Sequence, residues 1–195
     1  FINKKFIKDP NNLKWREIKS NLNSENINVK DLLVVDNEIY VSYKKFDAEC
    51  ETMNISRAKI EGDNLFFELF FNNGECGDFN AGRMIQYKHD GKEGILLSTD
   101  TDMHNKELAQ DDSSVYGKIL FINFQTKNYL IFSKGHRTTQ GLLVEKNSIL
   151  AAEHGPRGGD EINLIKFGKN YGWPISSYGE PYFSEKKSEK VYHYL

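Results

Sequence analysis

The sequence predicts an all-β fold, and three features of the chain support this. Aromatic residues make up 13% of the 195 residues, with 13 Phe and 10 Tyr, and short runs containing Ile and Val recur along the chain. Aromatic and β-branched residues favour strands, and the apolar spacing of an amphipathic helix is hard to find. Turn signals separate the runs at short intervals, which is typical of a sandwich, a barrel or a propeller.

The apolar runs pair into hairpins along the chain. In the first, residues 32–35 and 38–43 flank Asp36 and Asn37, a good two-residue hairpin turn. Four further pairs of predicted strands flank short polar turns. These pairs are 55–60 with 65–71, 83–87 with 95–98, 118–123 with 129–133, and 141–144 with 149–152. The longer segments between strands, rich in Gly, Asp and Asn, are predicted to be functional loops, and they are 72–81, 99–116 and 153–160.

Length and composition place limits on organisation and partners. No linker divides the chain, so residues 1–195 are expected to form a single domain, although residues 1–28 carry a weak pattern. The net charge of -2 argues against nucleic-acid binding, which needs a strongly basic surface. The longest nearly apolar run, 65–71, is too short to span a membrane.

Two cysteines, Cys50 and Cys76, allow one intramolecular pairing. A disulfide would fit an exported protein, whereas two free thiols would fit a reducing compartment. The sequence leaves both possibilities open.

The most unusual segment is EHGPRGGDEIN at residues 153–163. Gly155 and Pro156, followed by two further glycines, predict a rigid, exposed turn whose carbonyl groups point outward. Asp160 and Glu161 follow at once. Calcium takes about six to eight oxygen ligands from carboxylates, backbone carbonyls and water, so this loop is a candidate calcium site. The alternative is an ordinary acidic turn.

Three motifs together resemble those of the soluble sugar dehydrogenases that use pyrroloquinoline quinone (PQQ). The chain has GHRTTQGL at 135–142, EHGPRGGDEIN at 153–163 and NYGWP at 170–174. The typical motifs of that family are G-x-R-N-P-Q-G-L, E-H-G-P-R-G-G-D-E-I-N and N-Y-G-W-P, in the same order and at similar spacing. The resemblance is strongest over residues 28–178.

The resemblance implies a six-bladed β-propeller, of which this chain would represent about four blades as a partial domain. The remaining blades are expected from outside this segment. It also implies a periplasmic or secreted protein that oxidises an aldose at the anomeric carbon with calcium and PQQ. The expected partner is therefore a small-molecule sugar or glycan.

The resemblance also assigns site residues. Arg137 would bind the acidic groups of the quinone, with Thr138 in place of the family's Asn, and His154 would face the cofactor. The carbonyls of Gly155 and Pro156 would hold the active calcium. A second, structural calcium, present in some members, would use the carboxylate matching Glu161 and the backbone carbonyl matching Tyr171. Trp173 would serve either stacking or core packing.

Two positions depart from the family pattern. Phe79 stands where the family has its general-base His, and the loss of such a base typically costs about 10²- to 10⁴-fold in rate. The acid that orients this base is matched by Asp100, and His104 in the same loop is a candidate substitute base. Val29 stands where the family has a Gln that contacts the quinone.

These observations support different functions. The motifs favour a PQQ-dependent aldose dehydrogenase, whereas Phe79 and Val29 favour a non-catalytic, calcium-stabilised propeller that binds a glycan or a protein partner. A structural module in an envelope assembly is a third reading, without positive support in the sequence.

Overall fold

The computed structural model describes residues 5–8, 15–22, 25–48, 50–102 and 104–180. The described residues form 15 β-strands and one short 3-10 helix, and they confirm the all-β prediction. The chain divides into two compact units, Phe1–Cys76 and Gly77–Leu195. Within the described residues, no helix combines the length and the apolar character needed to cross a membrane. The expectation of a single domain stays a prediction.

The first unit contains two sheets. In the three-stranded sheet, β2 lies between β1 and β6, and the strands are β1 Lys5–Lys8, β2 Trp15–Ser20 and β6 Asn64–Leu65. The four-stranded antiparallel sheet follows chain order and comprises β3 Ile27–Val35, β4 Glu38–Asp47, β5 Cys50–Lys59 and β7 Glu68–Asn72. As predicted, Asp36 and Asn37 form the turn between β3 and β4. Asp36 has φ 52°, a left-handed conformation that such hairpin turns require.

The predicted strand at 65–71 is interrupted, which is a correction to the sequence reading. Leu65 pairs in parallel with Ser20, whereas the residues of β7 pair with β5. Between the two strands, the Asn21 side chain accepts the N–H of Phe67 at 2.7 Å and donates to its carbonyl at 3.0 Å. A side-chain amide therefore takes the place of a strand partner there. Strands β1 and β2, within the weakly patterned residues 1–28, were not predicted.

The two cysteines form a disulfide. Cys50 begins β5, and Cys76 lies in the loop after β7. The bond therefore ties the start of the inner strand β5 to the end of the first unit, and it decides between the two possibilities that the sequence left open.

The second unit also contains two sheets. The five-stranded sheet has the order β15-β11-β10-β9-β8 and comprises β8 Met84–His89, β9 Lys92–Ser98, β10 Lys118–Asn123, β11 Tyr129–Lys134 and β15 Lys169–Asn170. The three-stranded antiparallel sheet comprises β12 Thr139–Glu145, β13 Ser148–Glu153 and β14 Glu161–Ile165. Apolar side chains of the two sheets share one buried cluster: Leu96, Ile119, Phe121, Phe132, Ile149, Ala151 and Ile165.

The predicted loops lie where the sequence placed them. The described residues of 73–81, 99–116 and 154–160 contain no strand, and the second of these loops carries the 3-10 helix Lys106–Ala109. Strand β14 was not predicted. Glu161, which the sequence placed in the candidate calcium loop with an ordinary acidic turn as the alternative, begins this strand and pairs with Glu153.

Candidate functional site

The sheet pairing brings two of the three motifs together. Strands β12 and β13 are antiparallel, with Thr139 opposite Glu153, so the residues before β12 meet the residues after β13. Across this junction the His154 N–H donates to the Thr138 carbonyl at 2.9 Å. The Arg137 Nη1 donates to the His154 carbonyl, also at 2.9 Å. The structure therefore places the three candidate cofactor residues side by side.

The third motif lies against the same arginine. The Trp173 N–H donates to the carbonyl of Gly135 at 2.9 Å. The Arg137 guanidinium lies over the Trp173 ring, 5.4 Å from its centroid, a distance at which cation–π attraction operates. The Arg137 Nε is buried and has no hydrogen-bond partner among the described residues. The site thus contains a guanidinium that is held in place and whose Nε–H group donates no hydrogen bond to the described residues.

A buried histidine that the sequence analysis did not assign lies beside Arg137. His136 is fully buried, and its Nδ1 lies 2.9 Å from Glu153 Oε2, while its Nε2 lies 2.8 Å from Ser133 Oγ. Its ring stacks on Tyr171 with centroids 4.8 Å apart. Both His136 and Glu153 stand next to candidate site residues in the quoted motifs, and that adjacency was the available signal.

The glycine–proline corner is a turn, as predicted, but its carbonyls are less free than predicted. The Pro156 carbonyl accepts the N–H of Gly159 at 2.8 Å, which closes a four-residue turn with Gly158 at φ 72°. A Cβ on Gly179 would lie 2.6 Å from this same carbonyl oxygen. Pro156 is also buried, because the chain packs closely on it. The expectation of an exposed turn with outward carbonyls is wrong at this residue.

The acids of the corner make local contacts. Asp160 Oδ1 accepts the Gly155 N–H at 3.0 Å and lies 3.8 Å from His154 Nδ1, and both of these side chains are exposed. Glu161 Oε2 accepts from the amide of Asn163 at 2.9 Å. Among the described residues, no group of three or more His, Cys, Asp or Glu side chains is arranged to hold a metal ion.

The resemblance assigns the backbone carbonyl of Tyr171 to a structural calcium, and the hydroxyl of the same residue has two protein partners. It donates to the Leu164 carbonyl at 2.6 Å and accepts the Lys166 N–H at 2.9 Å. Burial raises the pKa of this phenol, although the Lys166 N–H acts in the opposite direction. The hydroxyl thus fastens the end of β14 to the motif at 170–174.

The donor set decides how well calcium fits. The candidate ligands here are mainly backbone carbonyls, and that of Pro156 already accepts a hydrogen bond. A calcium ion takes about six to eight oxygens, water included, of which the Gly155 and Pro156 carbonyls would supply two. The calcium assignments at Gly155, Pro156, Glu161 and Tyr171 therefore stay predictions, and no chemical step is derived from them.

Asp100 is buried and held by backbone amides rather than by a histidine. Both of its carboxylate oxygens lie 2.9 Å from the N–H of Asn80, which donates to them. Burial raises the pKa of Asp100 to about 6, and the nearby Asp78 acts in the same direction, against the lowering effect of the amide hydrogen bonds. The neighbouring Thr101 N–H donates to the Arg137 carbonyl at 2.7 Å, which joins this loop to the site.

Phe79, at the position of the expected base, belongs to the packed interior. It is fully buried and stacks on Tyr116, with centroids 4.5 Å apart and ring planes 8° apart. His104 is exposed, and its backbone N–H donates to Asp102 Oδ1 at 2.7 Å. No hydrogen bond described for this loop joins His104 to Asp100, so the substitute base stays a prediction.

Val29, at the position of the expected quinone-contacting Gln, lies in β3 and packs against the apolar cluster of the first unit. An amide side chain there would face apolar neighbours. Packing therefore accounts for this departure from the family pattern.

Comparison with known proteins identifies the family. The family described as Glucose / Sorbosone dehydrogenase matches residues 26–193. This chain belongs to that family. The match covers the three motifs, and it confirms the resemblance found in the sequence.

Curated relatives are longer than this chain. The chain is 34% identical over 128 residues to aldose sugar dehydrogenase YliI of Escherichia coli, which covers 58% of this chain and 33% of that protein. It is 53% identical over 45 residues to quinoprotein glucose dehydrogenase B of Acinetobacter calcoaceticus, covering 23% and 9%. An uncharacterized protein of Synechocystis is 29% identical over 175 residues, covering 76% and 42%. The chain therefore spans less than half the length of these relatives.

Solved structures agree on the fold. The soluble aldose sugar dehydrogenase of Escherichia coli, in its apo form, has a TM-score of 0.70 at 25% identity, covering 85% of this chain and 54% of that one. The PQQ-bound aldose sugar dehydrogenase of Streptomyces coelicolor has a TM-score of 0.55 at 28% identity, covering 71% and 44%. These similarities confirm the β-propeller prediction, while the number of blades stays a prediction.

Proposed function

We propose that this chain forms part of a PQQ-binding sugar dehydrogenase, in which Arg137, Thr138 and His154 face the cofactor. One observation carries the proposal: the Arg137 guanidinium is fixed by the His154 carbonyl and by Trp173, yet its buried Nε has no described partner. A guanidinium binds carboxylates through paired hydrogen bonds, and the quinone carries acidic groups. The names of the quinoprotein and PQQ-bound relatives support the same cofactor.

In this proposal the bound quinone would accept hydride from an aldose. The contribution of this chain is to bind and orient. Arg137 offers the cation, and Trp173 covers one side of it with an aromatic face. Asp100 and its loop, joined to Arg137 through Thr101, fix the neighbouring wall of the site.

An enzymatic function requires a base that takes the proton from the sugar hydroxyl, and residue 79 does not supply one. Phe79 has no atom that accepts a proton, and its ring stacks on Tyr116. We therefore expect turnover to be about 10²- to 10⁴-fold slower than in a protein with a positioned base. The same observation favours a second candidate function: a non-catalytic propeller that binds a glycan or a protein partner.

Calcium and export complete the proposal. Calcium would bind near Gly155 and Pro156, and an ion that binds only the folded chain would raise the melting temperature as its concentration rises. If the melting temperature does not rise in a calcium titration, calcium is removed from the proposal.

Export to the periplasm or outside the cell is supported by the disulfide between Cys50 and Cys76, because such bonds persist in oxidising compartments.

A titration with PQQ tests cofactor binding. The full chain is titrated with PQQ in calcium-containing buffer, and binding is followed by quenching of tryptophan fluorescence. Arg137→Lys keeps the charge but loses the planar donor pair, so affinity should fall about tenfold or more. Arg57→Lys is the matched control, because Arg57 pairs with Glu38 and Glu68 in the first unit and should leave affinity unchanged. Absence of binding by the unmodified chain would refute the proposal.

Substitution at residue 79 separates the two candidate functions. Phe79→His restores an imidazole at the base position, and dye reduction with glucose should then rise by about 10²-fold or more. Phe79→Leu controls for altered packing without supplying a base. If Phe79→His binds PQQ but gains no activity, the enzymatic reading loses its missing-base explanation and the binding function is favoured.

A further inference from the structure

A buried pair of side chains lies directly behind the candidate cofactor residues. His136 precedes Arg137 in the chain, and Glu153 precedes His154. The side chains of this pair are 0% and 5% exposed. We infer that Glu153 is the positioning residue that holds Arg137 in its binding conformation, an inference that rests on the proposed function.

Glu153 uses both carboxylate oxygens on the segment that carries Arg137. Its Oε1 accepts the backbone N–H of Arg137. Its Oε2 lies 2.9 Å from His136 Nδ1 and 3.4 Å from Thr139 Oγ1. The Arg137 amide, the His136 ring and the Thr139 hydroxyl can each donate a hydrogen bond to this carboxyl group. One side chain from β13 therefore gathers donors from three residues at the start of β12.

His136 is itself fixed from the other side. Ser133 Oγ lies 2.8 Å from its Nε2, and the Tyr171 ring stacks on its face. Because Ser133 and Tyr171 hold the ring in place, the contact at Nδ1 restricts the position of the Glu153 carboxyl group. Hydrogen bonds in such a buried network strengthen one another, and losing one leaves a costly unpaired group.

The order Ser133, His136, Glu153 is also that of a hydrolytic triad, but burial excludes that role here. Ser133 is 1% exposed, so its hydroxyl is closed to a substrate. The network instead ends at a backbone amide in the candidate site. Positioning is the function that these contacts allow.

Three hydrogen bonds among the described residues hold Arg137 in addition to its contact with Trp173, and Glu153 accepts one of them. The others are the Thr101 N–H, which donates to the Arg137 carbonyl, and the His154 carbonyl, which accepts from the guanidinium. Binding to a flexible group costs side-chain and backbone entropy, whereas a group held in advance avoids this cost. Removing the Glu153 charge should therefore weaken the binding of a carboxylate ligand without removing the binding cation itself.

The test compares Glu153→Gln with a control, Ser56→Ala, which removes a buried hydrogen bond to Tyr43 in the first unit. The first measurement is the backbone amide proton resonance of Arg137 in the cofactor-free chain. A hydrogen bond to a carboxylate moves this resonance downfield. We expect it to move upfield in Glu153→Gln and to stay in place in Ser56→Ala.

The second measurement is the affinity for PQQ. Glu153→Gln should lower it about tenfold, the value of one hydrogen bond to a charged group. Combining Glu153→Gln with Arg137→Lys should cost less than the sum of the two separate losses, because both act through one interaction. Additive losses would show that Glu153 acts elsewhere and would overturn the inference.

The two measurements separate this inference from the proposed function. An unmoved Arg137 resonance in folded Glu153→Gln would overturn the inference whether or not PQQ binds. If the unmodified chain fails to bind PQQ, the proposed function fails, and the resonance still decides the positioning role. Glu153→Asp, which keeps the charge but withdraws it by one methylene, replaces Glu153→Gln if that variant does not fold, and the same upfield shift is expected.

Discussion

The buried carboxyl of Asp100 should make the stability of this protein depend on pH. Asp100 is 3% exposed, and burial raises its pKa from 3.8 to about 6. Folding therefore favours the protonated form of Asp100. Its contribution to the unfolding free energy is fully present below pH 3.8 and is lost as the pH rises through 6. A shift of about two pH units corresponds to about 3 kcal/mol of unfolding free energy.

The perturbation that isolates this group is Asp100→Asn. The asparagine Oδ1 can still accept the Asn80 N–H, but the side chain no longer titrates. Urea unfolding of both proteins between pH 4 and pH 8 gives the difference in unfolding free energy, in which other titrating groups cancel. We expect unmodified protein to lose about 3 kcal/mol relative to Asp100→Asn over this range.

A control in the same loop should show the opposite sign. Hydrogen bonds from Ser113 lower the pKa of the exposed Asp111, so its stabilisation is present at neutral pH and is lost on acidification. A difference between unmodified protein and Asp100→Asn that does not vary with pH would refute the reasoning. If the unmodified protein instead gained stability relative to Asp100→Asn as the pH rises, the Asn80 hydrogen bonds would outweigh burial.

Two further predictions concern stability. Replacing Cys50 and Cys76 together by serine opens a link between residues 26 apart, which should lower the unfolding free energy by about 3 kcal/mol in urea titrations; an unchanged midpoint would contradict this. Lys118→Met should cost about 3 kcal/mol or more by the same assay, because the buried ammonium donates to the carbonyls of Leu108, Ala109 and Tyr116. The exposed Lys88→Met is its control, expected within about 0.5 kcal/mol of the unmodified protein, and equal losses in both would refute the anchoring role.

Local features of the sequence predicted most of the hairpins. The turn at Asp36 and Asn37 is set by the few residues that it contains, and the structure has it as expected. The strand at 65–71 could not be predicted correctly, because its interruption depends on Asn21, a residue that is distant in the chain. Short-range signals identify strands, but the partner of each strand depends on the rest of the fold.

The sequence predicted the residues of the candidate site but not the buried residues that hold them in place. Arg137, Thr138 and His154 were chosen from motifs, and the structure brings them together through the pairing of β12 with β13. The positioning role of Glu153 could not be predicted from the sequence, because its carboxylate accepts the backbone N–H of Arg137, 16 residues away in the chain. The assignments of Arg137, Thr138 and His154 to the cofactor stay predictions, as do the calcium assignments.

The sequence alone determined the strand-forming runs, the tight turns and the family motifs, because these depend on residues that are neighbours in the chain. Only the tertiary structure decided that Phe79 is packed inside, that the Pro156 carbonyl is occupied, and that His136 and Glu153 form a buried pair. Burial and hydrogen bonding across distant segments arise when the sheets assemble. They are therefore properties of the folded chain that no local pattern of residues specifies.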